Sequence, residues 1–201
     1  MGNAQKRIQN AALQLFAERG IAQVTVSDLA EKAGVARGTI YNNFKSIDSL
    51  FEDVAAEMTS DMLTYITASS ARTSDPAQRV ANGIRFYVRR AHEEPKWGHF
   101  LIRFGTIAPT LRPLLQGVPM SDLKTGIEIG RFSLRTDQLE AALGILQGAV
   151  LAAISLVLEG RRTWRDAGTD LAELSLRALG VQPDVARSLA TAELPSLAIV
   201  E

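Results

Sequence analysis

The chain contains no cysteine, which removes disulfides, thiolate nucleophiles and cysteine-based metal centres together. It has only two histidines, His92 and His99, seven residues apart. Glu93 and Glu94 stand beside the first, but two imidazoles two helical turns apart cannot both ligate one ion without bending the helix, so no metal is expected. Net charge is absent as well: 22 basic residues balance 22 acidic ones. Any nucleic-acid surface must therefore be a local patch. No segment sustains the alternation of a strand. There is no paired-carboxylate motif, glycine-rich phosphate loop or nucleophile elbow, so neither an enzyme activity nor a cofactor is expected. The polar opening MGNAQKRIQNAA lacks the apolar run of a secretory signal, which makes the cytoplasm the default location.

What remains is globular and helical. Hydrophobic residues make up 46% and charged residues 22% of 201 positions, enough apolar content to bury a core in one large domain or in a small domain attached to a larger one. From Lys6 to Arg19, the residues Ile8, Ala11, Ala12, Leu15 and Phe16 fall on one helical face, and Gly20 stops the run. Thr25 can cap a second helix with Asp28 three residues on, a short substitute for the Glu of a capping box. Its apolar face is Val26, Leu29, Ala30 and Ala33, and Gly34 ends it.

A third helix, Arg37 to Asn43 or Phe44, follows after a turn of a few residues. Ile40 and Phe44 are its inward pair, which leaves Arg37, Thr39, Asn42 and Asn43 outward. Two short helices joined by a glycine-containing turn and followed by such a polar face are what a helix-turn-helix requires. Residues 1–50 carry six basic side chains against four acidic ones, a local balance of +2 that a dimer would double against one duplex.

Further helices are expected from Ser46 to about Ala68, then Ala77–Ala91, Pro95–Phe104, Met120–Phe132, Gln138–Glu159 and Thr169–Leu179, with a short one from Pro183 and a tail ending LPSLAIV. The polar stretch from Ser69 to Pro76 is the clearest boundary, and Gly105–Pro119 is expected to be a loop with short turns. The fold class is therefore all-α. Ala141 to Leu158 is apolar or small except for Gln147 and Ser155, which reaches the lower limit of about 18 residues for a membrane span. A buried or dimer-facing helix is the reading preferred over a span.

The stretch TVSDLAEKAGVARGTIYNNFKSIDSLF, Thr25 to Phe51, preceded by RIQNAALQLFAERG, resembles the DNA-binding signature of the TetR family of bacterial regulators. The resemblance covers about a quarter of the chain; LRPLLQ, ALGILQGAVLAAI and LAELSLRALGV look more loosely like later helices of that family. It implies an N-terminal three-helix head with the helix-turn-helix, residues 1–46, and a helical ligand-binding and dimerisation domain, residues 47–201. The implied function is repression from a palindromic operator in double-stranded DNA, relieved by a small-molecule effector. A ligand-independent architectural DNA-binding or interaction protein is the alternative.

By that resemblance, Arg37 reaches base edges and Gly38 lets the backbone approach the groove. The chemistry agrees, because a guanidinium fork matches guanine and glycine clears space. Asn42 is the second base-edge candidate, since its amide can pair with adenine. Tyr41 is the implied phosphate contact, and Thr25, Thr39, Asn43 and Lys45 are further phosphate or positioning candidates. Ala36, Asn43 and Ile47 depart from the common Ser, His and Lys of the family.

In the second domain, the resemblance implies a homodimer through the Gln138–Glu159 and Thr169–Leu179 helices, with Leu139, Leu143, Leu146, Val150, Leu171, Leu174 and Ala178 as its apolar supply. Met58, Met62, Tyr65, Phe86, Tyr87, Trp97, Phe100, Met120, Ile129 and Phe132 are the candidates to line an effector pocket between the fourth and seventh helices, or else to pack as plain core. An apolar or aromatic compound would suit such a pocket.

Overall fold

The computed structural model describes residues 2–70 and 73–195, which form ten α-helices and, among these residues, no strand. Residues 71 and 72 of the polar connection and residues 196–201 of the expected tail lie outside the described part. Helix α1 (Asn3–Arg19) buries Ile8, Ala11, Ala12, Leu15 and Phe16 and ends at Gly20, whose φ of +82° suits a residue without Cβ. A 3-10 turn, Ile21–Gln23, leads to α2 (Val26–Ala33).

The cap of α2 is complete although Asp replaces the longer Glu. The Thr25 hydroxyl accepts from the Asp28 amide at 3.2 Å, and the Asp28 carboxylate accepts from the Thr25 amide at 2.9 Å. Hydrogen bonds from Thr25, helped by Arg19 at 3.2 Å, hold the Asp28 carboxyl below its ordinary range. Gly34 closes the helix in the left-handed conformation, φ +63° and ψ +43°. Helix α3 (Arg37–Asn43) then starts from Ala36, which supplies no side-chain cap.

Helix α4 (Ile47–Ser70) starts at Ser46, which exchanges hydrogen bonds with Ser49: the Ser49 amide donates to Ser46 Oγ at 3.0 Å and the Ser46 amide to Ser49 Oγ at 3.1 Å. Its 24 residues extend roughly 36 Å, away from the head and along the body. Helix α5 (Pro76–Glu93), capped by Asp75 with proline at its first position, is the centre of the second domain, with α6 (Pro95–Phe104), α7 (Val118–Glu128), α8 (Leu139–Leu158), α9 (Trp164–Ala178) and α10 (Pro183–Thr191) packed against it. The expected loop from Gly105 holds a 3-10 turn, Pro109–Leu111, and a wide turn, Pro113–Gly117, that runs into α7.

Two boundaries differ most from the sequence reading. Helix α7 ends at Glu128 because Gly130 turns the chain at φ +69°, and Phe132 folds back onto Gly126. A Cβ on Gly126 would lie 2.1 Å from Phe132 Cδ2, so only glycine admits the ring. Helix α9 begins five residues earlier than expected, since Thr163 caps it through the Asp166 amide at 3.1 Å and Gly168 lies inside the helix where α9 meets Arg85 of α5.

One continuous core joins head and body. Its bridge is aromatic: Phe16 of α1 meets Phe51 of α4 edge-on at 5.7 Å, Phe51 stacks on Phe100 of α6 at 5.4 Å, and Phe104 closes on both at 5.0 and 4.8 Å.

Candidate DNA interface and effector cavity

The turn between α2 and α3 is clamped from α1. Arg7 donates to the carbonyls of Ala33 at 2.5 Å and Gly34 at 2.8 Å, satisfying the end of α2 and fixing where α3 starts. A side chain at position 34 would collide with this guanidinium at 2.6 Å. Reading along the chain missed Arg7; its signal, a basic residue outside the apolar face of α1, is too common to interpret alone.

On α3, Ile40 is buried and Phe44 follows it inward, so the opposite face is free. Arg37, Gly38, Tyr41, Asn42, Asn43 and Lys45 are exposed, Tyr41 by 66%, and Thr39 is half-buried. Among the described residues, no hydrogen bond or ion pair engages the side chains of Arg37, Tyr41, Asn42 or Lys45. An exposed tyrosine and an unpaired guanidinium on one seven-residue helix are poor choices for packing and good ones for a polar partner. Two candidates are already engaged. Asn43 Nδ2 donates to the Thr39 carbonyl at 2.7 Å, and the Thr25 hydroxyl serves the α2 cap, also donating to Asp28 Oδ2 at 2.5 Å. No atom lies within 4 Å of a Cβ built on Gly38. Ile47, where a cation is common, is half-buried and packs against the core.

A narrow cavity, whose outline encloses about 480 Å³ with its open mouth included, lies among α4, α5, the turn before α7, α7 and α8. Its walls are mostly aliphatic: Ile66, Val80, Ile84, Leu115, Val118, Leu146 and Val150. Four polar side chains interrupt them. Arg79 Nε donates to Asp122 Oδ1 at 2.6 Å, Gln147 donates to the Leu115 carbonyl at 3.3 Å, and the Tyr87 hydroxyl donates to the Leu114 carbonyl at 2.5 Å. Burial pushes the Asp122 carboxyl above its ordinary range, and Arg79 offsets only part of this. Burial likewise holds the Tyr87 phenol protonated. Among the described residues, Asp122 Oδ2 accepts no hydrogen bond, which leaves an acceptor at the cavity wall.

Of the ten side chains expected to line a pocket, Tyr87 alone borders this cavity. The difference has a physical cause. Phe100 belongs to the aromatic bridge, and Trp97 packs at 6.0 Å from Tyr87 and 5.0 Å from the guanidinium of Arg90. Met62 and the half-buried Tyr65 surround the same buried Arg90, at 4.0 Å from the sulfur and 5.7 Å from the ring. Met58 and Phe86 are core, Phe132 fills the space over Gly126, Met120 is half-buried, and Ile129 is 63% exposed beyond the end of α7. The large side chains fill space; the cavity is left where smaller aliphatic ones meet.

The segment Thr136–Leu158 is long and apolar enough to cross a membrane, with 39% of its most apolar window buried. Leu143, Leu146 and Val150, expected on an interface, are instead buried within the chain. The face left in solvent is Ala141, Gly144, Ile145, Gly148 and Ala152, which is continued on α9 by Leu174 and Ala178; Ile145 is 51% and Leu174 is 55% exposed.

A capped two-helix turn presenting an unengaged polar helix, joined to an all-helical body with a cavity, defines a helix-turn-helix transcription regulator. Residues 8–54 match the family profile described as bacterial regulatory proteins, tetR family, and residues 75–192 match that of the tetracyclin repressor-like C-terminal domain. The chain belongs to the TetR family. The crystal structure of RolR in complex with the ligand resorcinol is similar over 97% of this chain and 96% of that one, at 31% identity and a TM-score of 0.73. The regulator YvkB of Bacillus subtilis (strain 168) is 39% identical over 56 residues, 28% of this chain and 30% of its own. The repressor KstR2 of Mycolicibacterium smegmatis is 42% identical over 43 residues, 21% of each chain. The chain thus spans about 30% of the length of YvkB and 21% of that of KstR2.

Proposed function

We propose that the chain is a ligand-responsive repressor that binds a palindromic operator as a homodimer and is released by a small effector. Residues 1–46 act as the DNA-binding head and residues 47–201 as the effector and dimerisation domain. Arg37 and Asn42 read base edges, Gly38 lets the helix approach, and Tyr41, Thr39 and Lys45 hold phosphates, with Thr25 and Asn43 presenting backbone and amide at the edge of the contact. The observation that carries this reading is the unengaged Arg37, Tyr41 and Asn42 face on a helix whose position is fixed by Arg7. Double-stranded DNA as partner puts its work in the cytoplasm.

The solvent face of α8 and α9 is the dimer contact, because its glycines and alanines let two helices approach closely while Ile145 and Leu174 supply apolar area. The effector enters the α4–α8 cavity. Aliphatic walls with an accepting carboxylate oxygen fit a small apolar body carrying a hydroxyl that donates to Asp122. Resorcinol, the ligand bound to RolR, has that chemistry. A ligand there spreads α4 from α7 and α8, and α4 begins directly after α3, so the separation of two heads from the roughly 34–36 Å of successive major grooves changes. The ligand must favour the misaligned state to have any effect.

The test is fluorescence anisotropy on palindromic duplexes drawn from the DNA flanking the gene, with and without a panel of phenols and alcohols. Binding at a discrete site, lost on addition of one of these compounds, supports the reading. Binding that is indifferent to sequence, or unaffected by the whole panel while the cavity stays empty in co-crystals, refutes the repressor or the effector part respectively.

A further inference from the structure

Away from the cavity, α5, the start of α9 and the chain around the end of α10 enclose an open groove with about 1180 Å³ of space. Arg85 lines its depth and is only 9% exposed. The Nη1 of this guanidinium is fully buried without a hydrogen-bond partner, and the group takes part in no ion pair among the described residues. Its stem lies over Gly168 of α9, with Cγ 3.4 Å from where a Cβ on that glycine would stand, an ordinary packing contact. Burial without a counter-charge pulls its pKa down.

The rim is cationic too. Arg165 lies 4.4 Å over the Trp164 ring and has no ion pair among the described residues, while Arg89 lies 5.7 Å from the same ring and holds Glu93 at 2.7 Å. His92, Glu93 and the exposed Glu193 also face the groove. Glu93 is held by Arg89, and among the described residues the exposed Glu193 makes no ion pair or hydrogen bond with Arg85. A buried, unpaired guanidinium disfavours folding unless something supplies the opposite charge, and its fork matches a carboxylate or phosphate.

We propose that the groove between α5, α9 and the end of α10 is a small-molecule site, separate from the α4–α8 cavity, that takes an oxyanion of the carboxylate or phosphate type on Arg85, with Arg165 and Arg89 at its mouth. An anion bound there reaches α5 and α9, the helices that carry the cavity wall and the dimer face.

Thermal melts of the full chain in sodium chloride, sodium acetate and sodium phosphate at matched ionic strength test this. Acetate or phosphate raises the melting temperature saturably, as a ligand of the folded state does, and which of the two acts identifies the oxyanion. Arg85→Met keeps the stem and removes the stranded charge, so it melts at or above the wild type in chloride and loses about tenfold or more in apparent anion affinity. Arg165→Gln, at an exposed position, melts like the wild type in chloride and weakens the anion a few-fold. A rise shared equally by wild type and Arg85→Met is the general effect of an excluded salt and overturns the proposal. So does an Arg85→Met chain that melts below the wild type in chloride or fails to fold, because Arg85 then already has its counter-charge in the assembled protein.

Discussion

The guanidinium of Arg90 lies 5.0 Å from the centre of the Trp97 ring, and both side chains are buried. The cation also meets the exposed carboxylates of Asp61 at 3.6 Å and Glu94 at 3.4 Å, so Trp97 is one wall around a buried guanidinium rather than of the cavity. Trp97→Ala should cost roughly 3–5 kcal/mol of stability. The buried indole N–H has no hydrogen-bond partner, so Trp97→Phe gives up no bond and costs clearly less. Urea unfolding of the two variants measures the difference; equal losses would mean that the ring's shape contributes nothing.

The free face of α3 separates three effects. Arg37→Ala should lose roughly 1–3 kcal/mol mainly at one symmetric base-pair position, whereas Tyr41→Phe should weaken all operator variants alike. Gly38→Ala meets no atom within 4 Å in the chain, so it keeps the fold and gains up to about 1 kcal/mol of helix propensity while weakening DNA. Anisotropy across single-base operator variants, with melts alongside, reads all three. Uniform losses for Arg37→Ala would end its assignment as a reader.

Ile47 packs at the start of α4 against the core. Ile47→Lys should therefore lower the melting temperature, by an amount on the order of 1 kcal/mol in stability, and leave the salt dependence of DNA binding unchanged. A slope steeper by about one unit per subunit would instead show a new phosphate contact.

Asp122 ties stability to pH in the direction opposite to most carboxylates. Its folded pKa is raised above the ordinary 3.8 by burial, only partly offset by Arg79, so the folded state holds the proton more tightly than the unfolded one. The stabilisation from that proton is complete below 3.8 and is lost as pH rises through the folded value. Relative to Asp122→Asn, the wild type should gain stability on acidification across that window, as read by urea unfolding at several pH values. The same substitution should weaken a hydroxylated effector by about tenfold, since the carboxylate is the charged acceptor.

Local chemistry in the sequence was enough for the head. The Thr25 and Asp28 pair, Gly34 and the Ile40 to Phe44 spacing act within a few residues of themselves, so α2, α3 and the polar face of α3 were legible before any tertiary contact was known. The all-α class followed from periodicity in the same way. The cavity was not legible, because Ile66, Val80, Leu115, Val118 and Leu146 come from separate elements and meet only through the way those helices cross. Periodicity says which residues share a face of α8, but not which face meets a neighbour. The side with Leu143 and Leu146 went into the chain's own core, and the side with Gly144 and Ile145 stayed in solvent. Large aromatics drew attention as pocket candidates, yet size is what makes them fill space against one another. The empty volume was decided by helix packing, at the place where smaller side chains leave it.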